Sequence, residues 1–161
     1  MKIDIQTYDQ KYQKQIEELI LTIQQKEFEI RINLEQQPDL MEIPHVYQQN
    51  NGNFWIALDK GRVVGTIGLI DIGSRQVALR KMFVHKDYRG GVIKTAALLL
   101  EAAFNWAKMR SVSEIYLGTT DKFLAAHRFY EKHGFVEILQ AQLPKSFPII
   151  PVDRKFYTYQ L

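Results

Sequence analysis

The chain is 161 residues long, 46% hydrophobic, carries a formal net charge of +3 and contains no cysteine. That length suits one domain over residues 1–161, and the apolar share can fill a core, which excludes global disorder. The missing cysteines exclude disulfides, cysteine nucleophiles and thiolate metal sites, and the mild charge forms no basic stripe with interleaved aromatics, so no nucleic-acid partner is expected.

No apolar run is long enough to cross a bilayer, and no membrane partner is expected. Met1-Lys2-Ile3-Asp4 carries an acid where a signal peptide would be apolar, so the expected location is cytoplasmic. Lys2 to Tyr8 alternates apolar and polar residues and reads as a strand. Asp9 can cap the helix that follows, carried by Ile16, Leu19, Ile20 and Ile23 at helical spacing to about Glu27. Ile30, Ile32 and Leu34 alternate, which fits either a short strand or an extended link. Pro38-Asp39-Leu40 marks a turn, and Met41 to Gln49 reads as a second short helix interrupted near Pro44.

After the loop Asn50-Asn51-Gly52-Asn53, three strands follow in succession: Phe54 to Leu58, Val63 to Ile72 and Gln76 to Val84. Tight turns at Asp59-Lys60-Gly61-Arg62 and Gly73-Ser74 join them. Val92 to Lys108 aligns Ala96, Leu99, Leu100, Ala103, Phe104 and Ala107 without glycine or proline, so it reads as a long helix. Glu114 to Gly118 reads as a short buried strand, Lys122 to His133 as a helix stopped by Gly134, and Phe135 to Gln140 and Phe156 to Gln160 as the last strands. Between those two strands, Leu143 to Asp153 holds three prolines within eight residues, which excludes regular structure. Such an apolar, stiffened connection is either part of a binding site or a lid packed over the core. The order of elements indicates an α+β fold with a single mixed, mostly antiparallel sheet flanked by helices.

Two segments carry chemistry. The first runs Met82-Phe83-Val84-His85-Lys86-Asp87-Tyr88-Arg89-Gly90-Gly91-Val92-Ile93-Lys94-Thr95 and continues into the apolar helix. A strand, a glycine turn and a helix start expose backbone N–H groups and a partial positive charge, which suit a phosphate. Residues with a Cβ are acceptable there if their φ is negative, as in a first helical turn. The second segment is Ala125-Ala126-His127-Arg128-Phe129-Tyr130-Glu131-Lys132-His133-Gly134-Phe135, a helix that presents a tyrosine.

Together these segments resemble the acetyl-CoA-binding core of the GCN5-related N-acetyltransferase (GNAT) family, and the element order matches that family over nearly the whole chain. Only Gln36 to Asn51 and the proline-rich segment look particular to this sequence. The resemblance implies acetyl-CoA as co-substrate, with no metal. It would be held by Met82, Phe83 and Val84 on the strand, by Arg89, Gly90, Gly91, Val92, Ile93, Lys94 and Thr95 at the turn, and by Phe123, Ala126 and Phe129 on the later helix. Arg89 stands where the family opens its turn with Arg or Gln, Val92 and Lys94 stand at later glycine positions, and Phe123 replaces a frequent Asn. Lys94 would add a charge and Thr95 a hydroxyl. Tyr130 occupies the place of the acid that protonates the departing CoA thiolate, and a phenol stays protonated at neutral pH. Burial of Phe129 would display Tyr130 about 100° away on the helix.

A backbone N–H on the Met82 to Val84 strand is the expected oxyanion donor. The base is open: Ala78 stands where some family members carry a glutamate, and Glu42, His45, Asp71, His85, Asp153 or a water chain remain. Arg80 and Lys81 should face opposite sides of their strand, so one could enter the acceptor pocket and favour a carboxylate or phosphate, or both could serve solvent or CoA. Trp55, Phe54, His45, Tyr47 and Phe147 could line an apolar pocket, although Trp55 also fits a core position. The implied activity is N-acetylation of a primary amine on a small molecule or amino acid derivative by direct attack. The alternatives are a non-catalytic acyl-CoA-binding module and a protein or peptide N-acetyltransferase, which would need an open groove. Homodimers are common in the family.

Overall fold

The structure is a computed structural model that describes residues 2–161; Met1, part of the N-terminal reading, lies outside the described residues. Strand β1 (Asp4–Thr7) leads to Asp9, whose carboxylate accepts the Lys11 N–H at 2.9 Å and starts a single helical turn before α1 (Gln13–Leu21). Thr22–Glu27 continues α1 as a π-helix, and Ile16, Leu19, Ile20 and Ile23 are buried along one face as their spacing requires. The alternating Ile30 and Ile32 lie in an extended link; no strand forms there, and Glu29 turns into it at φ 54°. Two short helices follow, α2 (Pro38–Met41) and α3 (Ile43–Val46), in place of one interrupted helix. The break falls at Glu42 (φ −131°, ψ 43°), and Pro44 sits in the first turn of α3, where its missing N–H removes no bond.

Strands β2 (Asn53–Asp59), β3 (Arg62–Gly73) and β4 (Gln76–Val84) form the meander. Helix α4 spans Thr95–Met109, three residues shorter at its start than the apolar pattern suggests. Lys94 adopts φ 55°, so helical bonding begins only where Leu98 N–H reaches Lys94 O at 3.1 Å. Strand β5 (Glu114–Thr119), helix α5 (Leu124–Lys132), strand β6 (Val136–Ile138) and strand β7 (Lys155–Gln160) complete the chain. The expected strand to Gln140 is cut short because Gln140–Gln142 closes a helical turn.

The strands form one sheet in the order β1-β2-β3-β4-β5-β7-β6, antiparallel except for the β4–β5 pair. Helices α4 and α5 pack on one face, burying Leu99, Leu100, Ala103 and Tyr130; α1 to α3 pack on the other, burying Ile16, Ile20, Leu40 and Ile43. Each leucine and isoleucine among them contributes roughly 1.5–3 kcal/mol by leaving water.

Two irregularities of β4 position the site. Only Gln76, Val77 and Ala78 pair with β5, opposite Glu114, Ile115 and Tyr116; beyond them the strands part. Lys81 and Met82 form a bulge against β3, where Thr66 pairs with Phe83 but Gly68 pairs with Arg80. Lys81 holds φ 54° in that bulge, and its carbonyl accepts the Thr66 hydroxyl at 2.6 Å.

Candidate active site

The parting of β4 from β5 opens a cavity of about 90 Å³. Leu79 to Phe83 form one wall and Gly118 to Thr120 the other. Phe123, Ala126 and Tyr130 border it from α5 and the loop before it. The link residues Ile30 and Ile32 and the proline-rich residues Phe147, Pro148 and Ile150 close it over. The proline-rich connection is thus both lid and lining. Phe28 meets Phe123 edge-on at 4.8 Å, and Phe123 meets Phe83 at 6.0 Å, tying the link to the cavity mouth.

Tyr130 is 5% exposed, whereas Phe129 is only half-buried, the reverse of the exposure expected from the sequence. The aromatic core explains this: Tyr130 packs between Phe135 at 5.5 Å and Tyr157 at 5.9 Å, while Phe129 lies outward on His133 at 4.2 Å. Among the described residues the Tyr130 hydroxyl has no hydrogen-bond partner, and Thr95 Oγ1 is the sole fully buried side-chain polar atom without one. The Tyr130 hydroxyl therefore keeps open surface, and the space that Tyr130 borders is the cavity. Burial pushes that hydroxyl's pKa well up, so it holds its proton at any working pH.

The residues expected at the cofactor divide into two groups. Met82, Phe83, Phe123 and Ala126 line the cavity, with Val84 buried at the end of β4. The turn lies beyond them. Gly90 and Gly91 take φ 64° and 58° with open space around them, and Val92 is 95% exposed. Lys94, also exposed, shares their left-handed conformation rather than the negative φ of a first helical turn. Ile93 packs against the core. Thr95 is fully buried, its methyl group facing Gly65, so its backbone N–H is what it can offer to a ligand. Arg89 points elsewhere: its Nε donates to Val84 O at 2.7 Å and its guanidinium forks onto Glu27, with one contact at 2.8 Å. It staples the turn to β4 and to the end of the α1 π-turn.

Of the five side chains that sequence left as candidate bases, one reaches the cavity. Glu42 and His45 are exposed and 3.8 Å apart. Asp71, near the end of β3, accepts N–H bonds from Asn51 and Gly73. His85 accepts the Asp87 N–H and contacts Arg62. Asp153 is buried, lines the cavity and accepts one N–H, from Ile150 at 3.3 Å. Burial pushes its carboxyl above the ordinary aspartate range, outweighing that hydrogen bond and the nearby charges of Arg80, Lys81 and Arg154.

Arg80 and Lys81 both border the cavity, because the bulge suspends the alternation that would have separated them. Lys81 is buried with Nζ 3.5 Å from Asp39, whose other partner is the Tyr47 hydroxyl at 2.6 Å. Burial pulls the Lys81 ammonium down to about 8, against the opposing pull of Asp39. Burial alone would raise Asp39, but Lys81, Arg80 and the Tyr47 hydroxyl hold it below its usual value. Sequence reading missed Asp39, which it took for a turn residue, because nothing local links it to a strand forty residues on. Trp55 is a core residue at 5% exposure; Tyr47 and Phe54 are fully buried, and Phe147 reaches the cavity.

Among the described residues no cluster of side chains suits a metal, and no helix is long and apolar enough to cross a membrane. The model of the Acetyltransferase (GNAT) family matches residues 17–135. A Xenopus tropicalis N-acetylaspartate synthetase is 36% identical over 104 residues, covering 62% of this chain and 37% of that protein. The chain thus spans well under half of that relative. A GNAT-family acetyltransferase structure from Staphylococcus aureus Mu50 is 42% identical with a TM-score of 0.95, covering 99% of both chains. The PaiA N-acetyltransferase from Thermoplasma acidophilum, solved with coenzyme A, shares the fold over the full length of both chains at 16% identity and a TM-score of 0.73.

Proposed function

We propose a function for a chain that belongs to the acetyltransferase (GNAT) family: residues 1–161 act as one domain that moves the acetyl group of acetyl-CoA onto the primary amine of a small acceptor. The observation that carries this reading is the unpartnered Tyr130 hydroxyl opening on the cavity where β4 leaves β5. The coenzyme A in the Thermoplasma structure and the N-acetylated amino acid in the name of the Xenopus relative support the same reading.

The residues present fit such a co-substrate. Past Ala78, the β5-facing edge of β4 has no strand partner, which leaves main-chain groups of Met82 to Val84 for an extended, amide-bearing arm. Phe83, Phe123 and Ala126 give that arm an apolar bed. The open turn at Gly90 to Lys94 and the start of α4 present backbone N–H groups and a lysine to phosphates. Acetyl-CoA supplies an acetyl carbon activated as a thioester. A main-chain N–H of the Met82 to Val84 stretch steadies the carbonyl oxygen as it gains charge. Tyr130 gives its proton to the sulfur as the C–S bond breaks. Its raised pKa makes it a weak acid, but a thiolate formed in the same enclosed space is equally poorly solvated and binds a proton more strongly.

The lid of Phe147, Pro148 and Ile150 favours a small acceptor over a protein chain. Titration calorimetry with acetyl-CoA, followed by thiol release with a panel of primary amines, tests the assignment. Micromolar binding with turnover is expected. Binding without turnover on any amine would make the protein a non-catalytic acyl-CoA-binding module, and absence of binding would remove the phosphate turn.

A further inference from the structure

We propose that the acceptor is a primary amine that carries a carboxylate: the carboxylate is met by Arg80 and the amine by Asp153. The proposal rests on the acetyl-transfer reading above and names the substrate class of that site. It starts from two opposite charges left without full partners in one enclosed space. Arg80 borders the cavity, is partly buried, and among the described residues makes neither a hydrogen bond nor an ion pair. Asp153 borders the same cavity, buried, with a single N–H donor at 3.3 Å on a carboxylate that can accept several. The two are near enough for Arg80 to favour the charged form of Asp153, yet no nitrogen–oxygen contact of 4.0 Å or less joins them. A protein that needed only stability would pair them.

Lys81 is the remaining charged residue that lines this space, and it is committed, as is the exposed Arg154 beside Asp153. Lys81 holds Asp39, and Asp39 also takes the Tyr47 hydroxyl. The Arg154 guanidinium donates to the Pro151 and Asp153 carbonyls at 2.6 and 2.9 Å. A cavity offering a guanidinium and a carboxylate is complementary to a carboxylate and an ammonium on one small molecule. Ile30, Ile32, Phe147 and Val152 surround the remaining space with apolar surface, which admits a short side chain.

The roles balance. Asp153 takes one proton from the ammonium, freeing the nitrogen lone pair, and later returns that proton to solvent. The nitrogen–carbon bond forms, the carbon–sulfur bond breaks, and the electron pair leaving on sulfur takes the Tyr130 proton. The second proton shed by nitrogen restores the Tyr130 hydroxyl through solvent. The net products are the N-acetyl amino-carboxylate, CoA thiol and one proton.

The test uses matched probes: glycine, alanine and valine, each with its methyl ester and the corresponding amine lacking the carboxyl group, and aspartate and glutamate, each with its dimethyl ester. Thiol release from acetyl-CoA is measured with each, and equilibrium binding of each is measured in the presence of CoA. At least one free acid should exceed its ester and its decarboxylated amine by about tenfold to a hundredfold in kcat/KM and in affinity. Arg80→Gln should collapse that acid-to-ester ratio toward one, with thermal unfolding used to check that the variant is folded. Esters or plain amines that match the acids, or a ratio that survives Arg80→Gln, would overturn the proposal. Selective binding of acids with no acetyl transfer would uphold the acceptor class while sinking the transfer reading, so the two failures are separable.

Discussion

Asp153 lies against the backbone of β5 so closely that a Cβ added at Gly118 would sit 2.6 Å from its Oδ2. Glycine at that position is what lets a carboxylate reach the cavity from the proline-rich connection. If Asp153 deprotonates the acceptor, its charged form is the active one, and burial has raised its pKa. Lowering the pH through that raised value protonates it, so kcat/KM should fall on the acid side at a higher pH than for an ordinary aspartate. Asp153→Asn should abolish that acid limb and cost on the order of a hundredfold in rate; a pH–rate profile on the variant decides, and a near-normal rate would remove Asp153 from the chemistry. In sequence it was one of five equal candidates, because one-dimensional order does not say that residues 118 and 153 share a wall.

At the scale of elements, β4 carries most of the consequence. Its bulge turns Arg80 and Lys81 to one face and leans Lys81 on Asp39 of α2, the two side chains being 5% and 12% exposed. Removing Asp39 would strand a buried ammonium. Asp39→Asn should lower unfolding stability by about 3–5 kcal/mol near pH 6 in urea denaturation. The sign with pH follows from Lys81, whose folded pKa of about 8 is already below its usual 10.5. Without Asp39 it falls further, so the variant sheds the penalty over a window that opens at lower pH than in the parent, and the stability gap should narrow between about pH 6 and 9. A gap that stays constant would mean the pair is not what holds Lys81. The turn into α4 makes a second prediction. Gly91→Glu should weaken acetyl-CoA binding in calorimetry far more than Gly91→Ala, which shares the strain of a side chain at φ 58° but not the negative charge; equal losses would place the phosphates elsewhere. These element boundaries were legible where hydrophobic spacing governed, as in α1, β2 and β3. They were misread at Val92 to Lys94, because left-handed backbone at a lysine leaves no mark in an apolar pattern.

For the molecule as a whole, a single mixed, mostly antiparallel sheet flanked by helices follows from the succession of apolar strands and amphipathic helices that the chain displays, whereas the seating of β7 between β5 and β6 does not. The cavity could not be read that way. It exists because β4 and β5 pair over three residues and then diverge, and because two segments without regular structure, the link after α1 and the connection before β7, fold over the gap. Ile30 and Ile32 were visible as alternating residues, but nothing in their spacing said that they face a site rather than a neighbouring strand. Acetyl transfer in this gap, with Tyr130 giving the proton, is the proposal on which the other roles depend. The most direct measurement compares single-turnover thiol release by the parent and by Tyr130→Phe, alongside acetyl-CoA affinity. Among the described residues the hydroxyl has no hydrogen-bond partner, so its removal breaks no hydrogen bond among them. The account predicts a rate lower by on the order of a hundredfold with affinity within about twofold; an unchanged rate across the pH range would contradict it.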